Sequence, residues 1–238
     1  MPRLRDSAKI PIRNAIISET CSIIRYPDKM PTDSLLRRCV CVIGPQSTGK
    51  TTLVTALADS VGGEVPVIKE VARQVMHEKG YTREDVDSPD GERRFALQHD
   101  IFTAQNEIEN ALLKRRTNSI FLSDRSAIDP LVYLAQYSGV TICERILSTD
   151  EWQKVRARYA DSQNFLIVLL SPVPEFLVDD NVRYISKSLE EWHSLANSFR
   201  DFLHAQQIPF LEIGTNCTNL KERVRLVLGQ VVLEESNL

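Results

Sequence analysis

The sequence contains no long apolar run. The longest, Phe165 to Leu170, is far short of the roughly 20 residues that span a bilayer, so no membrane partner is expected. Cysteine is sparse and odd in number: Cys21, Cys39, Cys41, Cys143 and Cys217, with no CxxC pair. That excludes a disulfide framework and points to a reduced, cytoplasmic protein. Basic charge is not in excess. The formal net charge is −3, which argues against a non-specific nucleic-acid binder, so no nucleic-acid partner is expected. The four histidines, His77, His99, His193 and His204, have no metal-ligand spacing, and HExxH is absent. No signal-peptide core opens the chain, and Asp6, Pro2 and Pro11 argue against a transit peptide. What remains is ordinary globular composition, with 42% hydrophobic and 26% charged residues over 238 positions. This length can bury a full core without staples.

Residues 1–38 stand apart, with four prolines, no long periodicity and a net charge of +4 against −7 for the rest. They read as an N-terminal extension to a domain at 39–230, and 231–238 reads as a tail. Within the domain, short apolar segments at 39–44, 65–68, 119–123, 164–170 and 209–213 read as strands. Pro66 argues for an edge or strand-start position for the second. Helical patterns fall at 50–60, 92–116, 129–137, 143–160, 189–206 and 218–230. Alternation of the two predicts an α/β protein, a three-layer α/β/α sandwich around a parallel sheet, with ligands beyond the carboxyl ends of the strands. Trp152 and Trp192 fall in helical patterns and read as packing residues, and Cys39 and Cys41 as small hydrophobes on one strand face.

The strongest signal follows the first strand. Gly44-Pro45-Gln46-Ser47-Thr48-Gly49-Lys50-Thr51 is a complete G-x-x-x-x-G-K-S/T phosphate loop, with Thr52 opening the helix behind it. Glycine lets such a loop turn backbone N–H groups inward around a polyphosphate, and the following helix points its positive end at the same anion. Lys50 can reach the β- and γ-phosphates, and the Thr51 hydroxyl suits Mg²⁺. The motif specifies a nucleoside triphosphate.

Other candidates lie at later strand ends. Glu70 follows the second strand, with Arg73 one helical turn on; the pair binds or deprotonates an acceptor, or is a plain surface ion pair. The apolar strand ending at Asp124 has the Walker B form, so Asp124 either serves Mg²⁺ or caps the next helix. Arg125 and Asp129 follow where an acceptor would lie; Asp129 reads equally as the N-terminal acid of a helix. The polar stretch 171–190, with Asp179, Asp180, Arg183 and Lys187, is a lid that closes over the triphosphate or a solvated loop. In a lid, Arg183 stabilises the transferring phosphoryl group.

In order, GPQSTGKTTL, KEVARQV, QHDIFTAQNEIE, FLSDRSAIDPLVYLAQY, VDDNVR and PFLEIG resemble the AAA_28 or NadR-like P-loop family over residues 39–230. The family includes the ribosylnicotinamide kinase domain of bacterial NadR proteins, and some relatives have been read as GTP-binding or lipid-linked. The resemblance implies a nucleoside-kinase-like fold, ATP with Mg²⁺, nucleotide roles for Lys50, Thr51 and Asp124, and Arg183 in a lid. Glu70 and Arg73 look like the acceptor-side pair of the more distant deoxynucleoside kinases. The bifunctional bacterial protein carries an adenylyltransferase domain that residues 1–38 are too short to supply. The expected function is phosphorylation of a ribose hydroxyl of a nucleoside, nicotinamide riboside first and adenosine or another purine nucleoside second. Either Asp124 or Glu70 is the base. A regulatory nucleotide switch is the competing reading, but TNCTNLKE at 215–222 lacks the N/T-K-x-D guanine-reading pattern. A mechanical ATPase would show a further helical domain after the last strand. Kinases of this size are often dimers, so a homodimer is among the expectations. The end at VVLEESNL leaves room for a place within a longer biosynthetic enzyme.

Overall fold

The computed structural model describes residues 36–62, 65–115, 120–176 and 188–231. Five parallel strands form one sheet in the order β2-β3-β1-β4-β5. They are β1 (Cys39–Ile43), β2 (Val67–Ile68), β3 (Leu122–Asp124), β4 (Phe165–Leu170) and β5 (Phe210–Ile213). Short Pro66-preceded β2 takes the edge, where a missing N–H donor is least costly. The apolar β1 and β4 lie inside and are buried along their whole length.

Side-chain alternation divides the core in two. Cys39, Cys41, Ile43, Phe165, Ile167 and Leu169 face one layer, and Val40, Val42, Leu166, Val168 and Leu170 face the other. The second layer is covered by α1 (Lys50–Ser60) and α8 (Leu220–Val231). The first is covered by α2 (Val71–Lys79), α3 (Gly91–Leu113), α4 (Asp129–Ser138), α5 (Val140–Leu147), α6 (Asp150–Ala160) and α7 (Leu189–Ala205). This is the three-layer α/β/α P-loop fold. Trp152 and Trp192 are fully buried, as packing residues should be. Leu36 is also buried, and Arg37 N donates to Val231 O at 3.1 Å, so the packed unit begins before the first strand.

Three expectations needed correction. The helix expected at 143–160 is two helices, because Thr149 caps a new one by accepting from Trp152 N at 3.2 Å. The third strand, expected from 119, begins at Leu122; it ends at Asp124 as the Walker B reading expected, and its ladder to β1 pairs Val40 with Leu122 and Val42 with Asp124. The long helix expected at 92–116 ends at Leu113, and the Asp90 side chain caps its start by accepting from Glu92 N and Arg93 N. Among the described residues, no helix is long and apolar enough to cross a membrane.

Leu53 of α1 is fully buried against the sheet in the second layer. Leu53→Ala should cost about 2–5 kcal/mol of unfolding free energy through lost transfer energy and an unfilled cavity. Urea denaturation with an unchanged slope checks it; a cost below about 1 kcal/mol would mean that this layer is loosely packed.

Candidate active site

The strand order reverses at β1, whose neighbours β3 and β4 lie on either side, so a crevice opens beyond the carboxyl ends of β1 and β3. The phosphate loop turns there. Gly44 has φ +131°, Ser47 φ +56° and Gly49 φ +86°. A Cβ on Gly44 would stand 2.7 Å from Leu170 O, so only glycine fits at this first turn. The loop is tied down from outside. Trp192 Nε1 of α7 donates to Gln46 O at 2.9 Å, and the Tyr133 hydroxyl of α4 donates to Gln46 Oε1 at 3.0 Å.

Lys50 is buried, and its ammonium folds back onto the loop, donating to Gly44 O at 2.9 Å and to Pro45 O. Burial, followed by the positive charge of Arg125, pulls its pKa down from 10.5 to about 7. Thr51 Oγ1 donates to Asp124 Oδ2 at 2.5 Å. A hydroxyl and a carboxylate this close, on the helix after the loop and at the end of β3, form a hard oxygen donor set of the kind that suits Mg²⁺, which retains several waters. A cavity of about 500 Å³ lies over this loop, lined by Ser47, Gly49, Lys50, Thr51 and Thr52 on one side and Phe176, Thr218 and Arg223 on the other.

A second cavity of about 70 Å³ adjoins the first; Gln46 lines this one and Ser47 the other. Its charged groups form one chain. Glu70, at the N-terminus of α2, accepts from Arg73 Nε through Oε2 and from Arg125 Nε through Oε1, both at 2.8 Å. Arg125 Nη1 also donates to Asp129 Oδ1 at 3.2 Å. Arg125 adopts φ +86°, a strained conformation for a non-glycine residue, and its N–H bonds to Val42 O at 2.9 Å. Burial disfavours its charge, but Glu70, Asp129 and Asp124 outweigh this and hold its pKa well above the usual value. Asp129 begins α4, where Oδ2 accepts from Ser126 N and Oγ, and burial raises its pKa.

The crevice thus gathers Gly44, Gln46, Ser47, Thr48, Gly49, Lys50, Thr51, Thr52 and Asp124 on one side and Glu70, Arg73, Arg125 and Asp129 on the other. Asp124 does not line the second cavity; Glu70 does. Arg183, Asp179, Asp180 and Lys187 lie outside the described residues. Sequence reasoning missed three participants. Gln98 and Gln105 of α3 line the second cavity, and Gln105 Nε2 is held by Glu109 at 2.9 Å and Ser123 at 3.1 Å. Buried Arg223 of α8 donates through Nη1 to Thr48 O at 2.9 Å. Its signal was a basic residue four positions before Val227, on the apolar face of the last helix.

The AAA domain family model AAA_28 matches residues 39–223. A NadR protein solved in complex with NR has 22% identity and a TM-score of 0.58, covering 85% of this chain and 54% of that one. The chain therefore spans about half the length of that protein. Deoxyadenosine kinase from M. mycoides with bound dATP has 14% identity and a TM-score of 0.57, covering 80% of this chain and 97% of that one. At these identities the likeness establishes the fold. No curated protein sequence matches the chain.

The unfolded chain keeps the Lys50 proton up to about pH 10.5 and the folded chain only to about 7, so stability should rise with pH across that window. A triphosphate restores the charged form. Calorimetric titration with MgATP at pH 8 should therefore show proton uptake, read as an enthalpy that varies with buffer ionisation enthalpy. A buffer-independent enthalpy would refute the depressed lysine.

Proposed function

The chain belongs to the AAA_28 family, and on that premise we propose that it is an ATP-dependent small-molecule kinase that phosphorylates a hydroxyl of a nucleoside. One observation carries the proposal: beside the loop cavity lies a second cavity, lined by Gln46 of the phosphate loop together with Glu70, Arg125 and Asp129. A regulatory switch needs only the nucleotide cavity. The NadR likeness makes nicotinamide riboside the first acceptor to test, and the deoxyadenosine kinase likeness supports adenosine or another purine nucleoside second.

In this reading the loop amides and Lys50 bind the β- and γ-phosphates. Thr51 and Asp124 hold Mg²⁺, which when bound offsets charge on the phosphate oxygens. Glu70 is the acceptor carboxylate, because it lines the second cavity and Asp124 does not. Arg73 is the lining charge with most freedom, since its side chain is 39% exposed. The cavity is smaller than the roughly 300–1,000 Å³ of ordinary ligand sites, so acceptor entry requires Arg73 to swing outward. That opens Glu70 to the acceptor hydroxyl, while Arg125 keeps Oε1 in place. Gln98 and Gln105 offer neutral amide contacts to the acceptor, which suits a nucleoside better than an anion. Phosphoryl transfer mainly demands positioning and electrostatic stabilisation, and these groups can supply both. Arg183 is assigned to the transferring phosphoryl group on the sequence resemblance alone.

Incubation with MgATP and a nucleoside panel, read by mass and fragmentation, tests the proposal. One nucleoside should gain one phosphate, and Lys50→Ala should abolish the product. Glu70→Gln should lower kcat by about 10²–10⁴-fold with nucleotide affinity retained. Tight ATP binding with no phosphorylated acceptor would overturn the kinase reading.

A further inference from the structure

Arg223 is 2% exposed, yet it lines the cavity over the phosphate loop. Two of its three nitrogens are committed to backbone: Nε donates to Cys217 O at 2.6 Å and Nη1 to Thr48 O at 2.9 Å. Nη2 is buried with no hydrogen-bond partner among the described residues. The guanidinium makes no ion pair with a described carboxylate, in contrast to Arg73 and Arg125. Its Cζ lies 5.0 Å from the Phe176 ring centroid, and Nη1 would stand 3.2 Å from a Cβ on Gly49. Burial pulls its pKa below the ordinary arginine value, as expected of a charge left without a counter-ion. An unpaired buried donor on a buried cation is costly unless a ligand completes it.

We propose that Arg223 is a polyphosphate-binding residue: its guanidinium, braced on Thr48 and Cys217 beside the loop cavity, turns its unpartnered Nη2 to a phosphate oxygen when a nucleotide fills that cavity. The missing element is an anion, and the anionic part of a nucleotide is its phosphate chain, not its base. The bond to Thr48 fixes the arginine relative to the loop before the ligand arrives. This deepens the nucleotide half of the proposed function and rests on it only in taking the loop cavity as the phosphate site.

The test is calorimetric titration of the full chain with MgATP, adenosine and inorganic tripolyphosphate, comparing wild type with Arg223→Gln. ATP and tripolyphosphate should both weaken by about 10- to 100-fold, with any adenosine binding unchanged. In wild type, the Arg223 Nε–H resonance, identified by its loss in Arg223→Lys, should shift on adding tripolyphosphate and not on adding adenosine. This second measurement decides the matter if Arg223→Gln does not fold. Weaker ATP with unchanged tripolyphosphate would overturn the proposal in favour of a base or ribose contact. Unchanged affinities with a lowered melting temperature would overturn it in favour of a loop brace. Tripolyphosphate binding needs no acceptor, so a chain that binds it through Arg223 but phosphorylates no nucleoside fails the kinase reading and leaves this inference standing.

Discussion

Thr51 and Asp124 meet at 2.5 Å, and much of the crevice is laid out from that contact. It exists because β1 and β3 run parallel with Val42 opposite Asp124, so the strand that launches the phosphate loop and the strand that delivers the carboxylate end together. The next residue, Arg125, donates its N–H back to Val42 O and turns through a positive φ. That turn sends its guanidinium to Glu70 at the end of β2. A slip of one residue between β1 and β3 would turn Asp124 to the opposite face and undo both the Thr51 contact and the Glu70 bridge.

The two halves of the crevice treat charge differently. On the second-cavity side, two arginines meet two carboxylates and the described charges balance. On the loop side, Lys50 and Arg223 are buried and rest on backbone carbonyls instead of carboxylates. The carboxylates on the loop side are Asp124, bound to Thr51, and Glu175, which lines the loop cavity; neither forms an ion pair with Lys50 or Arg223 among the described residues. The sides communicate, because Arg125 contributes to the lowered pKa of Lys50.

Rigidity comes from beneath. Glu109 is fully buried, accepts from Tyr159 and Gln105, and lies 2.8 Å from Arg158. The Tyr159 hydroxyl in turn accepts from Ala127 N. This network joins α3 and α6 to the turn after β3, so the wall of the second cavity is fixed by a polar core. Each member would be costly to bury alone, and the others satisfy most of its polar atoms; Arg158 Nε alone among these groups is left without a hydrogen-bond partner.

The phosphate loop, the alternation of apolar strands with helices, and the edge placement of β2 were all legible in the sequence, because each depends on residues adjacent along the chain. Glycine spacing, strand periodicity and a proline act locally. The start of β3 was placed three residues early, and the break at Thr149 was missed, because pairing and capping compete with local pattern and win by small margins. Glu70 and Arg73 could be read as a pair from their spacing, but the bridge from Arg125, 55 residues away, could not. Arg223 is 175 residues from the Thr48 carbonyl it holds. The sequence by itself determined that a phosphate loop follows the first strand. Only the tertiary structure decided which distant charges meet there, because strand order and register, not proximity along the chain, bring the crevice walls together.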